Sequence, residues 1–472
     1  MPPFRILAFV GIMLLTGSSS GVYARGGFGG PPGLGLPGVP GGIEGPQGGF
    51  GLGRSFGLGG PLLGTGLAAH QSALSARLRG AGSTVKHLVT LPSQAATAIS
   101  RTVARDEVGR PADSTIVSQV LAHDAQGHEV VRSEIVAISP TSADLAVAKR
   151  LHFKVLRRDR LPALGLVCIT LRAPGDMTTI AALTLLRHAD PLGNFDYSSI
   201  YNPAGSALPS ANSEAKPISV PAGEMTLGMI DGGVDRRHPS LTRSHITVRT
   251  FAGGDKSIPT RHGTAIASLL VGFGRKYSGY LPGANLYAAD VYGGVADGGS
   301  AVDIARALNW LAKHHIAVTN ISLAGPPNML LAAAVRAFIR TGHALVAAAG
   351  NDGPAAPPNY PAAYPGVICV TSVDVAKRVE LDANRRHCKF AALGVDVRAA
   401  KLPRGYGKFT GTSYATPVVT AHVAELMQKP DVVVLRHMPS MLLRRATRVR
   451  GGDARPLYII GLSGQSQPRS IN

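Results

Sequence analysis

From Met225 onward the 472-residue chain alternates short apolar runs with helix-prone stretches, and this alternation restricts the available folds more than any other feature. Apolar strands recurring between helices predict a mostly parallel sheet in an α/β domain. Ligands of such sheets gather beyond the carboxyl ends of the strands. Three segments place reactive side chains at positions of that kind. Thr226 to Asp231 is an apolar strand that delivers a carboxylate, with Gly232 and Gly233 to turn the backbone behind it. Arg261-His262-Gly263-Thr264 sets a histidine just ahead of an apolar, small-residue helix. Gly411-Thr412-Ser413 sets a serine at a glycine-led helix start, where unpaired N–H groups and the helix dipole favour developing negative charge.

Each segment alone has an ordinary explanation, since an Asp-Gly pair after a strand is commonly a turn and a lone histidine is commonly structural. Taken together they supply what acyl transfer requires. A serine hydroxyl becomes a useful nucleophile only when a base takes its proton and a third group fixes the tautomer of that base. A fourth segment, Leu345 to Gly353, is an apolar strand followed by Gly350-Asn351. The Asn351 amide, with the Ser413 backbone N–H, would make a two-donor oxyanion hole.

From about Met225 to Met427 the chain resembles the subtilisin-like serine proteases, or subtilases. The resemblance is carried by Ile230-Asp231-Gly232-Gly233-Val234, His262-Gly263-Thr264, the run Asn320 to Pro326, Gly350-Asn351, and Gly411-Thr412-Ser413-Tyr414-Ala415-Thr416-Pro417. The order Asp, His, Ser is that of the family. The resemblance implies an α/β fold, a three-layer α/β/α sandwich around a parallel sheet, and a serine endopeptidase. Asp231 would orient His262, His262 would act as general base and then acid, Ser413 would attack the peptide carbonyl, and Asn351 would hold the oxyanion. Ser322, Leu323, Ala324 and Gly325 would pair with the extended substrate backbone. Ala347, Ala348, Ala349 and Gly350 would form part of the wall of a roomy primary specificity pocket. Three departures stand out: Gly232 where Thr or Ser is usual, Tyr414 where Met is common, and Ala399 to Pro403 in place of an Ala-Pro-Gly turn. Members often bind calcium, but no acidic loop here is specific enough to assign a site, and no cofactor is expected.

Ahead of this domain, Ser133 to Ser139 and Leu164 to Leu171 read as strands, and Ser142 to Leu151 and Thr178 to His188 as helices, the first capped by Ser142. Two strand–helix cycles predict a small α+β unit over 130–202. It is similar to the propeptides of the same family, which act as intramolecular inhibitors until removed; a separate adaptor domain is the alternative. Residues 203–217, rich in Ala, Ser and Pro, read as an exposed processing linker, with the catalytic domain over 218–465 and a flexible tail over 466–472.

The first 24 residues join Arg5, the apolar run Ile6 to Leu15 and the small-residue end Val22-Tyr23-Ala24, the pattern of a secretory signal peptide cut after Ala24. The apolar run is shorter than the ~20 residues a membrane span requires, which argues against an uncleaved anchor. Glycine totals 58, and much of its excess falls in 25–67, which has no strict three-residue period and so is not collagen. It reads as a disordered neck, followed by a polar, helix-prone segment over 68–129. Three cysteines in an exported chain permit one disulfide. Cys369 and Cys388 are either a local bridge or two buried thiols, and Cys168 falls in the propeptide-like unit.

The formal charge of +20 permits attraction to polyanions, yet pairs such as Arg385-Arg386 read as a solvated face and 5% aromatic residues do not suggest base stacking. No specific nucleic-acid partner and no integral membrane segment after signal removal are expected. The reading is a secreted monomer acting on protein or peptide substrates, against the rival of a catalytically silent basic module.

Overall fold

The computed structural model describes residues 120–205, 225–252, 256–274, 277–293, 298–450 and 456–462. The expected signal, neck, C-terminal tail, and most of the helix-prone segment and linker lie outside the described residues.

The first unit is an antiparallel sheet of β1 (Leu121–His123), β2 (Glu129–Ile138), β3 (Lys154–Leu161), β4 (Leu166–Arg172) and β5 (Phe195–Pro203), with α1 (Ser142–Arg150) and α2 (Thr179–Ala189) on one face. Both expected helices form. The cap of α1 is Thr141 rather than Ser142, because Thr141 and Asp144 close a reciprocal box: the threonine oxygen takes the Asp144 N–H and the carboxylate takes the Thr141 N–H. Strands β1, β3 and β5 were not expected, and β1 corrects the end of the segment 68–129 that read as helix-prone, because Leu121 to His123 pair with β2. Side-chain alternation sends Ile135 and Ala137 of β2 toward α1 and α2, and Val136 and Ile138 toward the second unit.

That unit is built on a nine-stranded sheet in the order β19-β20-β16-β15-β14-β12-β6-β10-β7. Its strands are β6 (Thr226–Asp231), β7 (His245–Thr250), β10 (Asn285–Asp290), β12 (Val318–Ile321), β14 (Ala344–Ala348), β15 (Ile368–Val373), β16 (Phe390–Leu393), β19 (Thr447–Arg450) and β20 (Pro456–Ile459). All pairings are parallel except that of β19 with β20. Helices α3 (Arg261–Val271), α6 (Thr412–Leu426) and α7 (Val432–Arg445) pack in one apolar cluster. Helices α4 (Ala301–Lys313) and α5 (Met329–Arg340) pack in another. Sheet residues between two covered faces need apolar runs rather than alternation, which is why Leu227, Met229 and Ile230, and all of Ala344 to Ala348, are buried. The smaller pairs are β8 (Phe273–Gly274) with β9 (Tyr277–Ser278) and β17 (Val397–Ala400) with β18 (Tyr406–Phe409).

The two units are joined through β5, which lies antiparallel between β11 (Gly299–Ser300) and β13 (Leu323–Ala324). Beneath it, Val136, Leu161 and Leu164 share an apolar cluster with Leu308, Leu330 and Leu331. A charged knot sits at the edge, where Arg306 of α4 reaches Asp159 at 3.3 Å and Arg157 of β3 reaches Asp303 at 3.7 Å. Asp196 of β5 accepts the Met329 N–H at 2.6 Å, supplying the first turn of α5 with an acceptor from the other unit.

Candidate active site

Asp231 ends β6 and is fully buried. Its Oδ1 accepts two hydrogen bonds, from the Gly232 N–H at 2.7 Å and from His262 Nδ1 at 2.8 Å. That second bond fixes the imidazole tautomer with its proton on Nδ1, leaving Nε2 as the acceptor. Neither Nε2 nor Asp231 Oδ2 has a hydrogen-bond partner among the described residues. His262 stands in the first turn of α3, whose N-cap Thr260 takes the Gly263 N–H at 3.0 Å. The helix can come this close to β6 only because residue 263 is glycine: a Cβ there would lie 2.2 Å from the Gly232 carbonyl oxygen. Asp290, the carboxylate at the end of neighbouring β10, is a useful contrast. Ser257 and the Tyr292 and Gly293 N–H groups occupy both of its oxygens, as befits a structural residue, and burial raises its pKa.

Ser413 opens α6 behind Gly411, whose φ of +143° is a conformation that L side chains rarely adopt. Pro417 lies one turn on and has no N–H, so the Ser413 carbonyl loses its helical partner. The Ser322 hydroxyl donates to it instead, at 3.1 Å, and is held in turn by Asn320 Nδ2, while the Thr420 hydroxyl donates to Asn320 Oδ1, each at 3.0 Å. This chain of side chains ties the helix of Ser413 to β12. The pairing of Asn320 with Thr420 was not read from the sequence, where nothing local marks residues 100 positions apart as partners.

The Ser413 hydroxyl donates to the Ser322 carbonyl at 3.0 Å, so its link to His262 is not made in this conformation. The cleft beside Ser413 is filled by the chain itself. Ala204, the residue after β5, puts its carbonyl oxygen on the Ser413 N–H at 2.8 Å and its N–H on the Ser322 carbonyl at 3.1 Å. Ala204 is only 3% exposed, which corrects the expectation of an exposed linker from residue 203. Asn351 Oδ1 takes the Thr412 N–H at 3.1 Å and the Thr412 hydroxyl at 3.0 Å, turning Nδ2 the other way. A side chain at Gly411 would collide with Asn351 Nδ2, Ala204 O and Gly205 Cα alike, so these three border one small space.

Of the four residues expected to pair with a substrate backbone, three pair here with the chain's own segment 202–204. Ser322 takes the Ala204 N–H, and Leu323 and Ala324 pair with Pro203 and Asn202. Gly325 instead exchanges both backbone hydrogen bonds with Tyr360. The second flanking strand, Gly299–Ser300, was missed, for Ser300 reads locally as the cap of α4, a role it also performs. Ala347 and Ala348 are buried at the carboxyl end of β14, Ala349 is buried after them, and the Gly350 N–H donates to Thr412 Oγ1. A cleft of about 780 Å³ beside Ala204 is bordered by Ala324, Asn351, Asp352 and Asn359.

Gly232 removes a hydroxyl next to the carboxylate, but the space is filled: a Cβ there would lie 2.3 Å from Thr260 Oγ1. Gly232→Ser is therefore expected to destabilise the fold by about 1–3 kcal/mol, seen as a lower urea midpoint at unchanged slope. Cys369 and Cys388 form a disulfide, and the buried thiol of Cys168 is free, its pKa pushed up to about 12 by burial. Among the described residues no three His, Cys, Asp or Glu side chains gather to hold a metal ion, and no helix is long and apolar enough to cross a membrane.

A carboxylate, an oriented imidazole and a serine at a helix start, on the carboxyl edge of a parallel sheet, define a serine-hydrolase type of site. Residues 223–462 match the model of the subtilase family, and the chain belongs to that family. It is 30% identical over 220 residues to Subtilisin E of Bacillus subtilis (strain 168), covering 43% of this chain and 55% of the relative. It is 34% identical over 216 residues to Subtilisin BL of Lederbergia lenta, covering 43% and 76% respectively. The chain thus spans about half the length of Subtilisin E. In fold it resembles fervidolysin of Fervidobacterium pennivorans, described as a keratinolytic enzyme related to subtilisin, with TM-score 0.56 and 20% identity over 71% of this chain and 60% of that one.

Proposed function

We propose that the chain is a serine endopeptidase, exported and made as a self-inhibited precursor, in which Asp231, His262 and Ser413 form the catalytic triad. The observation that carries this reading is the Ala204 carbonyl, held on the Ser413 N–H at the end of a strand paired on both sides. An extended peptide bound in that way presents its carbonyl carbon to the serine and its oxygen to the oxyanion donors. Turning Ser413 about its Cα–Cβ bond exchanges the Ser322 carbonyl for His262 Nε2 as acceptor. The imidazole then takes the hydroxyl proton as the oxygen attacks, the Asp231 charge stabilises the imidazolium, and the proton passes to the departing amine. Water repeats the sequence on the acyl-enzyme.

The unit 120–205 acts as the inhibitor because its last strand fills the substrate's place. Export is supported by the signal-like first 24 residues and by the Cys369–Cys388 disulfide, a bond that persists in oxidising compartments. The test is a gel of purified wild type beside Ser413→Ala, each with a fluorophosphonate serine probe. The wild type is expected to take the label and to shorten by its N-terminal part, and the variant to do neither. A wild type that neither labels nor cuts, even after trimming to the second unit, would sink the proteolytic reading in favour of a basic binding module.

A further inference from the structure

The chain enters the catalytic cleft through Tyr201-Asn202-Pro203-Ala204 and continues past Ser413 as Gly205. Four contacts define what this segment is. Gly299 pairs with Tyr201, Ala324 with Asn202 and Leu323 with Pro203, so the residues upstream of Ala204 are held in extended register. The Ala204 carbonyl rests on the Ser413 N–H, which makes Ala204–Gly205 the bond in front of the nucleophile. Tyr201 is fully enclosed, with its hydroxyl donating to the Pro326 carbonyl at 2.7 Å and its ring where a side chain on Gly325 would have to be. On the other side of the bond there is no such room. A Cβ on Gly205 would lie 2.6 Å from the Tyr414 ring and 3.3 Å from Ser413 Cβ.

Tyr414 is not free to yield. It is buried, with its ring 5.1 Å from that of Phe409 and 5.7 Å from the His262 imidazole, so a displacement large enough to admit a side chain would press on the base. We propose that the chain's first substrate is its own Ala204–Gly205 bond, and that Tyr414 confines the leaving side of the cut to glycine. This rests on the proteolytic reading above and specifies its substrate class: extended segments with a glycine immediately after the cut. In the cut itself, Ser413 Oγ bonds the Ala204 carbonyl carbon and the Ala204–Gly205 C–N bond breaks. The hydroxyl proton travels through His262 to the Gly205 amine, and water then hydrolyses the ester to the Ala204 carboxylate. Tyr414 is a specificity residue in this scheme, acting by exclusion.

The experiment has two readouts on protein whose Ser413 has been checked with the fluorophosphonate probe. Mass spectrometry of the full-length wild type should find a new N-terminus at Gly205, absent from Ser413→Ala. Processed enzyme is then given the peptide Ser-Ile-Tyr-Asn-Pro-Ala-Gly-Ser-Ala-Leu and its analogue with leucine in place of the glycine. The wild type should prefer the glycine peptide by at least about tenfold in kcat/KM, the effect of a misfit of a methylene or more in a closed pocket. Tyr414→Met should bring that ratio close to one, whatever it does to the absolute rate. A Ser413-dependent N-terminus at another bond, or a wild-type ratio near one in enzyme that takes the probe, overturns this proposal and leaves the endopeptidase standing. Absence of both label and cleavage removes the endopeptidase and this proposal together.

Discussion

Asp231→Asn should lower kcat/KM on a fluorogenic peptide by about 10⁴-fold with the thermal transition retained. The buried carboxylate holds His262 Nδ1 and the Gly232 N–H on one oxygen, so the amide has two ways to fit. With its oxygen in that place it keeps both bonds, but it puts an NH₂ where the unpartnered Oδ2 stood and has no charge to offer the imidazolium. Turned over, it donates to Nδ1, forces the proton onto Nε2 and leaves the imidazole unable to accept from Ser413. Either pose removes the transition-state contribution while conserving volume. A rate within about tenfold of wild type would show that Asp231 is not the orienting group.

The second large effect is expected at Asn351. Asn351→Leu should cost about 10²–10³ in kcat, or about 2.7–4 kcal/mol, with KM little changed, because the lost donor acts on the oxyanion and only weakly on the ground-state carbonyl. Leucine also strips the Thr412 N–H and hydroxyl of their acceptor, so it confounds donation with positioning. Asn351→Asp separates them. It keeps the acceptor for Thr412 and sets a carboxylate oxygen where Nδ2 was, so it should be at least as damaging as leucine. Recovery of most of the activity in Asn351→Asp would mean that the residue serves only to place Thr412.

The residues proposed to react could be read from the chain because each stands at the end of an element, where local pattern is informative. Asp231 closes an apolar run, His262 stands at the start of an apolar, small-residue helix, and Ser413 follows a glycine at a helix start. The parallel sheet was equally readable, since burial on both faces leaves runs such as Ala344 to Ala348 with no polar residue. What escaped was set by contacts distant in sequence. Strand β5, Phe195–Pro203, mixes Asp, Ser and Tyr with no alternation, because its polar residues are satisfied by the other unit: Asp196 by the Met329 N–H, Ser199 by Asn328, and Tyr201 by the Pro326 carbonyl. Strand β3 reads as solvated for a similar reason, although Arg157 and Asp159 are partnered by Asp303 and Arg306. The filling of the Gly232 void by Thr260 is likewise invisible locally, as the two lie on different elements that only the fold brings together.

Strand β5 is paired along both of its edges, and the sheet it belongs to is seated on α4 and α5 by apolar contact and by charge. Severing one peptide bond at its end disturbs none of that. On the proposed function, cutting and opening would be separate clocks: the first would run inside a single molecule and ignore dilution, while the second would wait for a folded piece to let go. Between the two ticks the population would be cleaved and still silent, and the length of that silence would be set by the grip of the severed strand.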